Sequence, residues 1–178
     1  MVTTIRRLAI LLGLITLVAG CTSTINYTGT PVIHRGERWA VLPFENNTQT
    51  PRAAEQAETI TAALLRARGN ANLVVIPPYK PKKEILPEVD HKQKLKANMA
   101  RARQRHVRYA ITGSVNEWRY KAGLDGEPAV GLTIQLYDVP TGGVIWSAVV
   151  SGTGWSRSSV TDIAQRLIYK ALIPLPSG

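Results

Sequence analysis

Between residues 129 and 137 the chain alternates strictly: Val130, Leu132, Ile134 and Leu136 are apolar, and Gly131, Thr133, Gln135 and Tyr137 fall between them. A period of two sends successive side chains to opposite faces, so the segment is predicted as a strand with one covered face. Residues 138–143 hold a proline and paired glycines, the composition of a tight connection, and Val144, Ile145 and Trp146 resume an apolar run beyond them. Residues 109–156 therefore read as three consecutive antiparallel strands. They carry Trp118, Trp146 and Trp155, three of the four tryptophans, and the rest of the chain has to cover or anchor this meander.

The N-terminus is not part of that fold. Arg6 and Arg7 precede an apolar run over residues 8–18, too short to span a bilayer comfortably, which ends in Ala19, Gly20 and Cys21. The pattern resembles the lipobox of a bacterial lipoprotein signal; the alternative is an ordinary secretory signal with a chance cysteine. On the lipobox reading residues 1–20 are removed and Cys21 becomes a lipid-modified N-terminus. Thr22, in place of the aspartate that often retains such proteins at the inner membrane, points to the periplasmic face of the outer membrane. Cys21 is the only cysteine, so the mature chain has no thiol left for a disulfide or a metal, and its stability has to come from packing. Its length, 158 of the 178 residues, is enough for a proper core.

Residues 21–36 are mostly polar or small, show no period, and are predicted as a flexible tether to a single domain over 37–175. Glu37 to Phe44 is predicted as a short apolar strand in which Pro43 marks an edge or the end of pairing. Thr50 and Pro51 open a helix reaching about Arg68, with Ala53, Ala57, Ile60, Ala63, Leu64 and Ala67 on one face. Leu73 to Ile76 is a wholly apolar run, predicted as a buried central strand. A second helix starts near Asp90 with a narrow stripe of Leu95, Met99, Ala102 and His106, so it buries little. Ser159 and Asp162 have capping-box spacing at the start of a third helix. The order is strand, helix, strand, helix, three-strand meander, helix, which predicts an α/β fold: a single mixed sheet covered by helices.

No catalytic constellation emerges. His34, His91 and His106 lack metal-site spacing, the serines lack a G-x-S-x-G context, and Gly152-Thr153-Gly154 lacks the rest of a phosphate loop. The charge is uneven. Removing Arg6 and Arg7 leaves 20 basic against 12 acidic residues, a net of +8, and ten of the bases lie in 80–108 with only Glu84, Glu88 and Asp90. Lys92, Lys96 and Arg103 belong to this stretch, whose options are anionic headgroups, a partner protein, an acidic face on another copy, or solvent. Aromatic interleaving is absent, so nucleic acid is not favoured. Trp146 belongs to the core. Trp155, between Gly154 and Ser156, fits either a membrane interface or packing under the last helix. Asp125, Glu127 and Asp138 lie in turns, where aspartate bonds its own backbone, although a ring of copies would multiply each carboxylate into a field.

The combination of the lipobox, WAVLPFENNT at 39–48, the whole of 113–156 and a final amphipathic helix resembles the PelC family, outer-membrane lipoproteins of Pel exopolysaccharide export. The first half is also similar to curli-channel, TolB N-terminal-like and penicillin-binding-protein-activator domains. The resemblance implies a non-enzymatic, cofactor-free homo-oligomer, a ring of twelve beneath the outer membrane. Such a ring guides a cationic amino-sugar polymer through an acidic funnel to the porin-like exporter PelB. It implies Cys21 as the lipid anchor, Trp155 as membrane-facing, and Asp125, Glu127 and Asp138 as funnel candidates. A net of +8 opposes that role unless the basic stretch faces away from the lumen, toward headgroups or a neighbouring subunit. Two other readings are a regulator that docks a cell-wall synthase and a secretion-channel subunit. The latter is disfavoured because the hairpin around residues 124–128 looks too short for a barrel wall, whose strands need about nine to eleven residues.

Overall fold

The computed structural model describes residues 23–79, 91–122, 126–155 and 157–176. Seven strands form one mixed sheet: β1 (Ser23–Tyr27), β2 (Trp39–Val41), β3 (Glu45–Asn46), β4 (Leu73–Val75), β5 (Tyr109–Tyr120), β6 (Pro128–Asp138) and β7 (Val144–Thr153). The order across the sheet is β1-β7-β6-β5-β2-β4, with β3 also pairing β5. Among the described residues three helices accompany it, α1 (Ala53–Ala67), α2 (His91–Gln104) and α3 (Val160–Leu172). The meander is antiparallel throughout, whereas β2 pairs in parallel with both β4 and β5.

Connection geometry decides which face each helix covers. From β2 the chain crosses through α1 to β4 on one side, and from β4 it returns through α2 to β5 on the other. Parallel crossovers are right-handed, so two crossovers running in opposite directions put their helices on opposite faces. The burial pattern follows. Trp39 and Val41 join the main core under α1 and α3, while Ala40 and Leu42 turn to a smaller core with Met99 and Ala102 of α2. On β6, Val130, Leu132, Ile134 and Leu136 are fully buried in the main core, as their alternation predicts, and Trp146 joins them. Ser159 caps α3 by accepting the Asp162 N–H at 3.0 Å, and the Asp162 carboxylate accepts the Ser159 N–H at 3.3 Å, completing the box.

Four local expectations are corrected. Part of the 21–36 tether is strand: Ser23–Tyr27 pairs antiparallel with β7 and forms the sheet edge, with the lone apolar Ile25 packed on the core. Its polar residues hid it, because on an exposed edge the backbone supplies most of the attachment. The run Leu73–Val75 is not central but the opposite edge, paired only with β2; Leu73 and Ile76 are buried in the two different cores while Val75 is exposed. Thr50 does not cap α1. Its hydroxyl donates to the Trp118 carbonyl, and Arg52, at φ 62°, stands at the cap position without a capping side-chain hydrogen bond. The buried face of α1 is also rotated: Ala53, Ala54, Ala57, Thr61, Ala62 and Leu65 are buried, and Ala63 and Ala67 are exposed. Thr61 tolerates this because its hydroxyl donates to the Ala57 carbonyl at 2.7 Å.

The meander strands are longer than the hairpin composition implied, with 12, 11 and 10 residues. Length therefore does not exclude a barrel wall. Surface chemistry argues against one, since one face packs under helices and the other carries Ser114, Asn116 and Thr133, joined by side-chain hydrogen bonds. Among the described residues no helix is long and apolar enough to cross a membrane, and no cluster could hold a metal ion.

Candidate functional site

Strand register brings three distant parts of the chain to one end of the sheet. Ser23 is opposite Gly152, Ala129 is opposite Thr153, Tyr120 is opposite Pro128, and the Gly154 N–H donates to the Pro128 carbonyl at 3.0 Å. The start of β1, the β5–β6 hairpin and the exit of β7 are thus neighbours. Trp155 leaves this end with 59% of its surface exposed, the most exposed of the tryptophans. Gly154 makes that exit possible. A Cβ there would lie 2.4 Å from Ile163 Cδ1 and 3.1 Å from Ser158 Cβ, so a larger residue would have to displace the Ile163 side chain where the strand passes against α3. The Ser158 N–H closes the turn on the Trp155 carbonyl at 2.8 Å. Nearby, Tyr120 is exposed and its hydroxyl accepts the Val160 N–H at 3.4 Å, tying the hairpin to the start of α3. Lys121 and Arg157 add exposed cations. Amphipathic aromatics beside cations form the composition of a membrane–water interface.

The opposite end of the sheet is basic. The Arg108 guanidinium meets the Asp138 carboxylate at 2.7 Å, and the other Asp138 oxygen accepts the Thr141 N–H at 3.2 Å. Arg103 Nε donates to the Val139 carbonyl at 2.9 Å, and Arg38 donates to the Arg105 carbonyl at 3.2 Å. Asp138 is only 8% exposed. Its charge is paired with Arg108 and its oxygens hold the turn. Glu127 is exposed to about half on its side chain and lies 3.9 Å from Lys121. Asp125 and Cys21 lie outside the described residues. Lys92 and Lys96 are exposed along α2.

The register also separates two expectations. Arg103 sits at the β6–β7 turn and Trp155 beyond the far end of β7, a strand of ten residues, so they are about 30 Å apart along the sheet. A flat bilayer that admitted Trp155 would therefore not also reach Arg103. Sequence reasoning missed Glu58 and Asn98, which line a cavity between α1, α2 and the sheet. Burial pushes the Glu58 carboxyl above its ordinary value, the Phe44 N–H partly offsets this, and nearby Glu55 adds to it. Nothing in the spacing signals either residue, because each is a lone polar side chain beside the buried positions of its helix, Ala57 and Met99.

The fold places the chain in a recognisable class. An α/β domain of this kind is seen in lipoprotein GNA1162 from Neisseria meningitidis, at 15% identity over 76% of this chain and 95% of that one, with a TM-score of 0.50. Two structures are much more similar. They are a PelC dodecamer from Paraburkholderia phytofirmans, 41% identical over 86% of this chain and 96% of that one with a TM-score of 0.72, and a single-substitution variant of that dodecamer, 40% identical over 88% and 100% with a TM-score of 0.74. The chain belongs to the PelC family. No protein-family model matches it, and no curated protein does.

Proposed function

We propose that this protein is a lipid-anchored, ring-forming subunit of exopolysaccharide export, standing on the periplasmic face of the outer membrane with its Trp155 end toward the bilayer. The observation that carries this reading is the pairing of β1 with β7. It holds Ser23 beside Gly152, and Cys21 is two residues upstream, a span of at most about 7 Å of chain. An acylated Cys21 and the exposed indole of Trp155 would then meet the same membrane surface. The acyl chains would anchor the subunit and the indole would fix which end of the sheet faces the bilayer. The dodecameric state of the P. phytofirmans relatives supports a ring of twelve. In such a ring Asp125, Glu127 and Asp138 are the candidates for guiding a cationic amino-sugar polymer toward PelB, and α2 must face away from the lumen. No catalysis is assigned.

Replacing Trp155 by Ala tests the reading. The lipidated variant is expected to show several-fold weaker association with phospholipid vesicles while mass photometry still finds the assembled ring. Unchanged vesicle binding would refute the membrane role. A wild-type protein that stays monomeric at micromolar concentration would favour the regulatory alternative.

A further inference from the structure

At the Trp155 end of the sheet, a small cavity of about 80 Å³ opens between the strands and the last helix. Ser23, Gly152 and Thr153 line it from the sheet, and Arg166 and Lys170 line it from α3. Strand register explains the opening. Ser23 pairs with Gly152 and Ile25 with Val150, and alternation puts all four on the face that α3 covers. Ile25 and Val150 pack on the main core. Two residues nearer the end the same rows hold only a hydroxyl and a glycine without a side chain, so the sheet leaves space under the helix.

The groups around this space are donors. Arg166 and Lys170 are four residues apart, which puts them on one side of α3, one turn from each other. Both are exposed, and Arg166 makes no hydrogen bond or ion pair among the described residues. The one bond of Lys170 runs from its Nζ to the Ser23 Oγ at 3.3 Å, which leaves the hydroxyl proton of Ser23 to be donated elsewhere. No carboxylate lines the cavity. Asp162, one turn before Arg166, belongs to the cap of α3, where it accepts the Ser159 N–H at 3.3 Å. A guanidinium, an ammonium and hydroxyls without a counter-ion form the donor set that suits the oxygens of a phosphate.

Position selects the source of that phosphate. Ser23 is two residues from Cys21, at most about 7 Å of chain. Acyl chains on Cys21 would therefore hold the cavity at the depth of the headgroups, where long basic side chains keep their stems on the protein and their charges in the polar layer. We propose that this cavity is a binding site for the phosphate of an anionic lipid headgroup, held by Arg166 and Lys170 with the Ser23 hydroxyl. The site rests on the membrane orientation proposed above and adds selectivity to it, because neither acyl chains nor an indole distinguishes one headgroup charge from another.

The test moves the full-length lipidated protein from detergent onto vesicles of phosphatidylcholine alone, or of phosphatidylcholine with phosphatidylglycerol, and measures the bound fraction by flotation. The wild-type protein should prefer the anionic vesicles. Arg166→Gln combined with Lys170→Gln should lose about fivefold of that preference for each charge removed, while binding phosphatidylcholine vesicles and melting as the wild type does. Glutamine keeps the helix propensity of both exposed positions. Lys96→Gln combined with Arg105→Gln removes the same charge far from the cavity and should leave the preference intact. An equal loss in the two pairs, or an unchanged preference without Arg166 and Lys170, would overturn the site. Calorimetry of the detergent-solubilised protein with inorganic phosphate should show no saturable binding; binding that disappears with Arg166 and Lys170 would give the cavity to a free anion and overturn its assignment to lipid. Wild-type protein that binds both kinds of vesicle equally would remove the headgroup site and leave the membrane orientation standing, whereas wild-type protein that binds neither would remove both.

Discussion

Glu58 shows how one buried carboxyl links stability to pH. Its folded-state pKa is raised above the ordinary 4.5, chiefly by burial. The folded state therefore holds this proton more tightly than the unfolded chain, so the favourable contribution is complete below the unfolded value and is lost as pH rises through the folded one. Glu58→Gln is accordingly expected to raise the melting temperature at pH 7, with the advantage shrinking as pH falls through the raised folded-state value and gone below about 4.5. A pH series of thermal melts on both proteins checks this, and a constant difference across the series would mean that the charge at 58 carries no stability cost. Asp138 is the contrasting case at the same scale. Its place in a turn was legible from the sequence, but Arg108 is thirty positions away, and only the strand register brings the two to 2.7 Å. Trp155 was legible as a residue outside the core because Gly154 and Ser156 flank it. Asn98 was not, because its burial depends on where α2 sits over the sheet.

Elements were readable where local pattern and tertiary environment agree. The meander and the third helix meet that condition: alternation sets the covered face of β6, and Ser159 with Asp162 sets the helix start. Removing that cap with Ser159→Ala should cost about 1 kcal/mol of unfolding free energy, measured in urea, and no effect would mean that packing of Ile163 and Leu167 alone holds the start of α3. The misread elements fail for one reason. β1 and β4 are edge strands, and edge strands are specified by their neighbours more than by their own residues. A polar segment such as Ser23–Tyr27 reads as linker until β7 is in place, and an apolar run such as Leu73–Val75 reads as central although it is only three residues long. The rotated face of α1 has a related cause, since alanine is equally at home on either side of a helix.

The molecule as a whole is polarised along its strands, with an aromatic end at Trp155 and an arginine-rich end at Arg103, Arg105 and Arg108. This polarity could be read only in part from sequence, which shows that the bases cluster but not that the sheet carries them away from the tryptophan. In a ring the arrangement limits where a polycation can travel: Lys92, Lys96 and Arg103 lining the lumen would deprive guidance of electrostatic support. The edge strand has a practical consequence as well. Soluble versions of lipoproteins are commonly made by cutting away everything near the acylated cysteine. Starting this chain after Tyr27 would strip β1 and bare the β7 edge, with the exposed Val149 at its middle. Such a shortened protein should self-associate through β7, and light scattering against a chain beginning at Ser23 would reveal it. Any assembly seen only in the shortened form would then be a product of the cut, and ring formation has to be judged on chains that keep their first strand.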